Sequence, residues 1–204
     1  MVVLVRSNAI IIKVTRRKPI PYLDTNVILD YLRGRGKDNR AILLLENIKR
    51  KKIHCYTSNY TILELIDREQ EERWIERCRE RGLSLDDISR RSRERDLEEP
   101  DLRDAFNSLE KRFLKPFIDT DIIEMVTPTT TQWDKIYELL AHYNFTIDDA
   151  FHVDAAIGKG CNIFISNDSH LVKLVNESGL IPASTLENLD RRLDDLQMRR
   201  IIPR

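Results

Sequence analysis

Short apolar runs alternate with amphipathic helical segments along most of this chain, and this alternation restricts the possible folds more than any other feature. A short strand near 20–23 precedes a helix that ends around Gly34, and the run at 52–58 is a strand followed by another helix. A strand at 162–166 and a helix from about Ser169 repeat this order. The pattern predicts an α/β fold with a largely parallel central sheet covered by helices on both faces.

Further elements are expected outside this alternating core. Residues 2–5 and 9–14 flank a polar RSN turn and are expected to form a hairpin appended to the main fold. Apolar residues at helical spacing predict helices over 39–51 and about 131–143, and another that starts after Thr146.

Four acidic residues stand where the expected strands end or the expected helices begin. They are Asp24 in LDTN, Glu64 in ILEL, Asp149 in DDAF and Asp168 in SNDS. In a parallel sheet the C-terminal strand ends and the adjoining helix starts share one edge, where ligands bind. Carboxylates gathered there raise each other's pKa unless a counter-charge is present, and a hard divalent cation prefers oxygen ligands. The pattern therefore predicts a metal-dependent hydrolase.

Ordinary structural roles remain open for the first two acids. Asp24 is placed to cap a helix that begins near Asn26, and this role competes with metal binding. Glu64 lies four residues before Arg68, at the spacing of an exposed ion pair on one helical face. If the apolar flanks of Glu64 bury its helix, an acid without a partner is costly there unless it binds a metal. Ser58 or Asn59 is expected to cap this helix.

The last two acids have similar alternatives. Asp149 follows Thr146 at capping-box spacing, and that role is compatible with metal binding. Asp148 competes with Asp149 because the two aspartates are adjacent, and Asp149 is preferred because the DAFH string starts there. Asp168 lies in SNDS and is also suited to a turn.

Other potential ligand types add little to this site. Cys55, Cys78 and Cys161 form no CxxC pair, which argues against a zinc–thiolate site or a disulfide framework and for a reducing compartment. His152 and His170 are expected to be core or surface residues, since an oxygen-ligated site does not need them. No GxSxG, HExxH or P-loop motif occurs.

Composition limits the partners and the compartment. The chain has 204 residues with 34 basic and 34 acidic side chains, so any affinity for nucleic acid must come from local basic patches. No apolar run approaches the roughly 20 residues of a membrane span, so no membrane association is expected. The apolar start MVVLVRSNAIIIKV lacks a small-residue cleavage pattern. A cytoplasmic protein is expected.

Residues 67–121 interrupt the alternation with a highly charged segment that is helical by composition. Its apolar anchors up to residue 97 are few: Trp74, Ile75, Leu83, Leu85, Ile88 and Leu97. An apolar stripe then returns with Phe106, Leu109, Phe113, Leu114 and Phe117. The segment is interpreted as a helical insertion, with solvated helices that carry i,i+4 ion pairs. The alternative is a dimer arm, or a phosphate-contacting arm at 88–95.

Four strings resemble the signature segments of PIN-domain nucleases, the family that includes VapC-type toxins and several RNA-processing enzymes. They are LDTNVILDYL, TSNYTILEL, DDAFHVDAAI and FISNDSHL, in the family's order. The resemblance covers about residues 20–66 and 120–186. It implies one PIN-like domain over 1–204, with 1–19 as an N-terminal extension and 67–121 as the insertion.

The resemblance also implies a function. Asp24, Glu64, Asp149 and Asp168 match the family's acidic quartet, which binds Mg²⁺ or Mn²⁺ for cleavage of RNA phosphodiester bonds. Asn26 and Ser58 match polar positions that support the quartet. Asp154 departs from the family's small residue and is expected either to add charge near the site or to face outward. The expected partners are RNA, a second copy in a homodimer, and a protein antitoxin or other protein.

The bottom-up chemistry agrees with this resemblance, and two other classes stay open. Two cations about 4 Å apart can activate water, neutralise the phosphate and stabilise the leaving oxygen without a covalent nucleophile. A catalytically silent PIN-like module is expected to lose one or more acids, and this chain keeps all four. A haloacid-dehalogenase-like phosphatase needs a second Asp two residues after the first, where this chain has Asn26. A toxin-like role and a housekeeping role in RNA processing both remain open.

Overall fold

A five-stranded parallel sheet forms the centre of the protein, and a separate two-stranded pair precedes it in the chain. The computed structural model describes residues 2–6, 9–13, 17–34, 40–91, 96–127, 133–196, 198 and 201. The strands are β1 (Val2–Arg6), β2 (Ala9–Lys13), β3 (Pro21–Leu23), β4 (Cys55–Ser58), β5 (Ile123–Val126), β6 (Ile163–Ile165) and β7 (Ala183–Ser184). The central sheet has the order β5-β4-β3-β6-β7, and all four of its pairings are parallel.

Helices connect these strands on both faces of the sheet. They are α1 (Thr25–Arg33), α2 (Arg40–Lys51), α3 (Asn59–Glu80), α4 (Leu85–Arg91), α5 (Glu99–Leu109), a π-helical segment (Glu110–Ile118), α6 (Trp133–Tyr143), α7 (Ile147–Gly158), α8 (Ser169–Ser178) and α9 (Leu189–Asp195). The predicted α/β class with a parallel sheet is thereby confirmed.

Alternating side chains of the buried strands point to two separate hydrophobic cores. On β3, Tyr22 belongs to the core formed with α6, α7 and α8, whereas Leu23 belongs to the core formed with α1 and α2. On β6, Phe164 and Ile165 divide in the same way. The rings of Tyr22 and Phe164, which are register partners, stack with centroids 5.2 Å apart. Both faces of the sheet are therefore covered, as a buried parallel sheet requires.

Local sequence signals set the ends of the helices that border the sheet. Gly34 adopts a left-handed conformation, with φ of 59°, directly after α1, which a residue without a Cβ does at little cost. Ser58 caps α3 by accepting the backbone N–H of Tyr60 at 3.0 Å, and Thr146 caps α7 by accepting that of Asp149 at 3.2 Å. These three expectations are confirmed, as is the β1–β2 hairpin, in which Val2 pairs with Lys13.

The charged segment is joined directly to the main core. Helix α3 runs from the sheet into this segment without a break, over Asn59–Glu80. Trp74, Cys78 and Ile88 form a small buried cluster of their own. Leu109, Phe113 and Phe117 are buried in the core beside α1 and α2.

The expectation that Leu85 anchors the charged segment is wrong, because Leu85 is 72% exposed. Phe106, the first residue of the apolar stripe, is 48% exposed. Arg103 and Glu99 form an ion pair at the expected i,i+4 spacing, and Arg68 pairs with Glu71 at i,i+3 spacing. Arg77 adds a pair to Asp101 between α3 and α5.

Some expectations concern residues outside the described part of the chain. These are residue 14 of the hairpin, residue 39 of the second helix, residues 92–95 of the phosphate-contacting arm and residues 131–132 of the helix before Tyr143. Within the described residues, no helix combines the length and the apolar character needed to cross a membrane.

Candidate active site

Asp24 occupies the C-terminal end of the central strand β3, at the edge where a parallel sheet binds ligands. Its backbone N–H donates to the carbonyl of Ile165 at 2.9 Å, which continues the pairing of β3 with β6. The side chain is only 3% exposed. Asp24 stands at the N-cap of α1, yet its carboxylate makes no cap hydrogen bond to that helix. Capping through the side chain therefore does not explain this acid.

Two side chains donate hydrogen bonds to the Asp24 carboxylate. The Ser166 hydroxyl donates to Oδ2 at 2.6 Å and the Asn26 amide donates to the same oxygen at 3.2 Å. Burial raises the pKa of the Asp24 carboxyl, and the charge of Glu64 raises it further. His152 and Ser166 oppose this shift without cancelling it. A buried carboxylate with a raised pKa gains free energy when a cation binds beside it.

Glu64 lies on α3 and is held by two residues from other elements. The Thr25 hydroxyl, next to Asp24 in the chain, donates to Oε2 of Glu64. Nε2 of His152, on α7, lies 3.0 Å from the same oxygen. Because a carboxylate can only accept hydrogen bonds, Nε2 of His152 carries a proton and donates it to this bond. Oε1 has no hydrogen-bond partner among the described residues, so one oxygen is held and the other is available to a ligand.

The ionisation of Glu64 and His152 is coupled. Burial raises the pKa of the Glu64 carboxyl, but the hydrogen bonds from His152 and Thr25 outweigh it and bring the pKa below its ordinary value. Burial lowers the pKa of His152, but Glu64 and the charge of Asp24 outweigh it and raise the pKa. The expected exposed pair of Glu64 with Arg68 is not formed, because Arg68 bonds to Glu71 at 2.6 Å.

Asp149 lies on α7, one helical turn before His152. Its carboxylate accepts from the Thr146 hydroxyl at 2.7 Å, and its charge contributes to raising the pKa of His152. The neighbouring Asp148 is exposed and accepts from the Tyr60 hydroxyl at 2.8 Å. Asp149 therefore acts electrostatically on the same imidazole as Asp24 and Glu64, while its carboxylate bonds the hydroxyl of Thr146, the residue that caps α7.

Asp168 is the N-cap of α8, and its side chain is occupied by that helix. Oδ1 accepts the backbone N–H groups of His170 at 2.8 Å and of Leu171 at 3.0 Å. Asp168 is connected to Asp24 through Ser166, whose hydroxyl accepts the Asp168 N–H at 3.0 Å. Asp168 therefore has a structural role as a helix cap, where the sequence suggested a turn residue, and its Oδ2 remains as an acceptor.

The other candidate residues occupy varied places around these acids. Asn26 is exposed and bonded to Asp24, whereas Ser58 is buried and caps α3. Asp154 is 5% exposed, which excludes the alternative that it faces outward. His152 is buried and His170 is exposed.

The donor set fits a magnesium-type cation only in part. Among the described residues, no three His, Cys, Asp or Glu side chains form a group that could hold a metal ion. Asp24 and Glu64 are linked through Thr25, which follows Asp24 directly and bonds Glu64. Mg²⁺ is commonly held by one or two carboxylates, with water and substrate phosphate completing its shell. Asp24 and Glu64 would supply such carboxylates, and metal-ligand roles for all four acids stay predictions.

Sequence reasoning missed the residues that hold the acids in place. Thr25 follows Asp24 directly, and Ser166 lies two residues before Asp168. Their hydroxyls bond Glu64 and Asp24, which are 39 and 142 positions away in the chain. His152 had a detectable signal, since it follows Asp149 by three residues and therefore shares its helical face. Its hydrogen bond to Glu64 spans 88 residues and depends on the tertiary fold.

Fold and site together define an α/β protein with a carboxylate centre at the C-terminal edge of a parallel sheet. The family model described as PIN domain matches residues 22–176. The chain therefore belongs to the PIN-domain family, whose members are generally nucleases that use divalent metal ions. A comparison with curated proteins finds no match.

Proposed function

We propose that the protein is a metal-dependent endoribonuclease that hydrolyses RNA phosphodiester bonds with Mg²⁺ or Mn²⁺. The observation that carries the proposal is the 3% exposed Asp24 carboxylate beside the ionised Glu64, at the ligand-binding edge of the sheet. Two such carboxylates close together favour a divalent cation. Asp24 and Glu64 are its proposed ligands, with Asp149 and Asp168 completing the acidic quartet.

A cation held there would acidify a water molecule and neutralise charge on the scissile phosphate. The protein's own residues fix the carboxylates beforehand. Ser166 and Asn26 orient Asp24, while Thr25 and His152 bind one oxygen of Glu64 and leave the other available. Such preorganisation removes the cost of arranging charged ligands during the reaction. Ser58 supports the site by setting the start of the helix that carries Glu64.

The biological setting is proposed from the family resemblance. The substrate is RNA, the working form is a homodimer, and the compartment is the cytoplasm. Both a toxin-like role, with a protein antitoxin as partner, and a role in RNA processing are compatible with this chemistry. A catalytically silent RNA-binding module is the second candidate. It is favoured by one observation, the lack of a three-residue metal group within the described residues.

The direct test is cleavage of a panel of RNAs by the purified protein with Mg²⁺, with Mn²⁺ or with excess chelator. Cleavage should require one of the metals, and undiminished cleavage in chelator would refute the proposal. RNA binding without cleavage under any condition would instead favour the silent module. A covalent aspartyl-phosphate would point to the phosphatase chemistry considered from the sequence.

Replacement of Asp24 by Asn gives the matched test of the proposed ligand. Cleavage should fall by orders of magnitude because the negative charge is lost while shape is kept. The metal-free protein should melt at the same or a higher temperature, because burial disfavours the charged form of Asp24. Asp104→Asn, a change at an exposed acid on α5, should leave both properties unchanged. Full activity of Asp24→Asn would defeat the assignment.

A further inference from the structure

Three basic side chains border a surface groove outside the acidic centre. Lys49 lies near the end of α2, and Lys111 and Arg112 lie in the π-helical segment. They line a cavity of about 380 Å³ together with Tyr31 of α1, and we call this cavity the basic groove. Elements that are distant in the chain therefore bring three cations to one surface.

The protein itself neutralises these cations only weakly. Among the described residues, Lys49 and Lys111 have no ion-pair partner, and the Lys49 ammonium lies over the ring of Phe117, 5.8 Å from its centroid. Arg112 reaches one acid, Glu69, with 3.9 Å between the nitrogen and the oxygen. That distance is longer than a hydrogen bond, so the donors of the guanidinium remain available to a ligand.

One acid, Glu46, also lines the groove but does not cancel its charge. The carboxylate of Glu46 accepts a hydrogen bond from the Tyr31 hydroxyl at 3.0 Å. Three positive charges against this one negative charge leave the groove with a formal charge of +2, in a chain whose formal net charge is zero. The groove is therefore a local basic patch of the kind that a neutral chain needs in order to bind nucleic acid.

Part of this charge has an ordinary structural explanation. Residues 49–52 read KRKK at the end of α2, where basic side chains interact favourably with the helix dipole. Lys111 and Arg112 instead lie inside the helical run that continues from α5 into the π-helical segment, away from either end. Because the effect of the dipole falls off within one turn, it accounts for Lys49 at most.

The basic groove is separated from the acidic centre along α1. Tyr31, which borders the groove, follows Asp24 by about two helical turns, roughly 10 Å along the helix axis. A mononucleotide bound at the carboxylates would not fill the groove as well. A ligand that occupies both places must therefore be an extended chain with negative charges along it.

The side chains of the groove fit phosphate better than a peptide. A lysine ammonium acts as a point charge for phosphate, and an arginine guanidinium binds phosphate through two parallel hydrogen bonds. Protein partners are instead anchored mainly by aromatic and arginine side chains buried in well-packed pockets. The aromatic residue of this groove, Tyr31, already donates its hydroxyl to Glu46.

We propose that the basic groove binds backbone phosphates of RNA at a second site, outside the acidic centre, and so favours RNA chains long enough to occupy both sites. The inference rests on the proposed ribonuclease function and adds an interaction surface to it. Phosphate contacts carry no base information, so the groove contributes affinity and orientation and does not select a sequence.

Salt-dependent binding of an RNA oligomer to the full-length Asp24→Asn protein, in chelator, tests the inference without requiring cleavage. The groove variant has Lys49, Lys111 and Arg112 replaced together by Gln in this parent. Each phosphate contact steepens the fall of log affinity with log salt by about 0.7 for a single strand, so the groove variant should have a slope smaller by about 2. A fourfold rise in salt should then weaken binding of the parent about 20-fold more than binding of the groove variant.

The matched control removes three positive charges elsewhere. Arg79, Arg103 and Lys173 are exposed on α3, α5 and α8, and none of them lines the groove. Their joint replacement by Gln should leave the affinity and the salt slope of the parent unchanged. Lys49→Arg combined with Lys111→Arg should also bind like the parent because both positive charges are kept. Equal melting temperatures should accompany all these variants, since the changed side chains are exposed.

Cleavage by the metal-loaded protein with an intact Asp24 adds a test of chain length. The three Gln changes of the groove should raise KM for a long RNA and leave kcat unchanged, because they remove binding outside the reacting centre. Cleavage of a dinucleotide should be unaffected. A nucleoside monophosphate at the same ionic strength should compete poorly with the long RNA for the groove, whereas full competition would make the groove a small-anion site and overturn the inference.

Equal salt slopes of the parent and the groove variant, an equal loss in the control, or no RNA binding by the parent would each overturn the inference. Groove-dependent binding of polyglutamate as tight as that of RNA would assign the groove to an acidic protein and overturn it too. If metal-dependent cleavage of long RNA keeps its KM in the groove variant, the proposed function stands and the groove fails. If no metal supports cleavage but RNA binding depends on the groove, the groove stands and the nuclease activity fails.

Discussion

Replacement of Ser166 by Ala should show how much its hydroxyl contributes to the stability of the acidic centre, apart from the packing of its side chain. Ser166 is fully buried directly after β6, and its hydroxyl makes two hydrogen bonds. It donates to Oδ2 of Asp24 at 2.6 Å and accepts the backbone N–H of Asp168 at 3.0 Å. Alanine removes both bonds and adds no bulk, so the change isolates the hydroxyl.

The expected loss of stability follows from these two bonds. A hydrogen bond to a charged group contributes about 1.5–3 kcal/mol, and an ordinary one about 0.5–1.5 kcal/mol. The hydrogen bond from the Asp168 N–H is only partly buried, so in the variant a water molecule can make part of the lost interaction. We expect Ser166→Ala to lower the free energy of unfolding by about 2–4 kcal/mol. For a chain of 204 residues, this corresponds to a melting temperature about 5–15 °C lower.

The loss should also depend on pH. Burial raises the pKa of Asp24 above its ordinary value of 3.8 in the folded state, and the Ser166 hydrogen bond lowers it. Without the Ser166 hydroxyl, the pKa of Asp24 in the folded state is higher still. Both proteins lose stability as the pH rises above 3.8 and Asp24 ionises, and the variant loses more because its folded state resists ionisation more strongly. At lower pH, Asp24 is protonated in both proteins and the difference should shrink to the contribution of uncharged hydrogen bonds.

Thermal or denaturant unfolding of the metal-free protein, measured across this pH range, is the assay. Ser184→Ala is the control, because Ser184 is 3% exposed on the neighbouring strand and its hydroxyl donates only to the carbonyl of Thr185 at 2.9 Å. The control should lose about 1 kcal/mol at every pH. The reasoning is refuted if Ser166→Ala loses no more stability than Ser184→Ala, or if its loss is independent of pH.

Two further predictions concern the cation and the charged segment. Addition of Mg²⁺ or Mn²⁺ at 100 times its dissociation constant should stabilise the wild type by about 2.7 kcal/mol, and Glu64→Gln should gain clearly less because one charged ligand is lost. An equal gain in both proteins, measured by thermal melting, would contradict the role of Glu64. Phe113→Ala should cost about 3–5 kcal/mol because Phe113 is fully buried in the main core, whereas Phe106→Ala should cost less than about 0.5 kcal/mol. Similar denaturation midpoints for the two variants would show that the charged segment does not support the core.

The parts of the fold that were predictable from sequence are those whose signals are local. The start and end of α1 follow from the apolar spacing of its residues and from Gly34, and the starts of α3 and α7 follow from Ser58 and Thr146. Strands β5 and β7 were missed because they are short, with four and two residues, and their neighbours carry turn-like polar residues. Both lie at the outer positions of the sheet, where the sequence pattern is weakest.

The candidate site shows a similar division between local and tertiary information. The acids could be named as candidates from sequence because Asp24 and Asp168 follow strands, while Glu64 and Asp149 lie near the starts of helices. Their different ionisation could not be predicted, since burial raises the pKa of Asp24, while His152 lowers that of Glu64 across 88 residues. Leu85 was wrongly expected as an anchor because an apolar residue at the first position of a short helix does not have to face the core.

The residues that hold the acids form an interlocked arrangement between chain segments. Thr25 is adjacent to Asp24 but bonds Glu64, and Ser166 bonds Asp24 while accepting from the Asp168 amide. His152 shares the helix of Asp149 but bonds Glu64.

Asp24 and Glu64 therefore each accept from donors of other segments, whereas the carboxylates of Asp149 and Asp168 accept from the N-cap or first turn of their own helices. Because Asp24 needs Ser166 after β6, and Glu64 needs Thr25 and His152, this pair cannot be positioned until β3, α3, α7 and β6 have assembled. Changes at the supporting donors should consequently be non-additive, because they share hydrogen-bond partners and charge interactions.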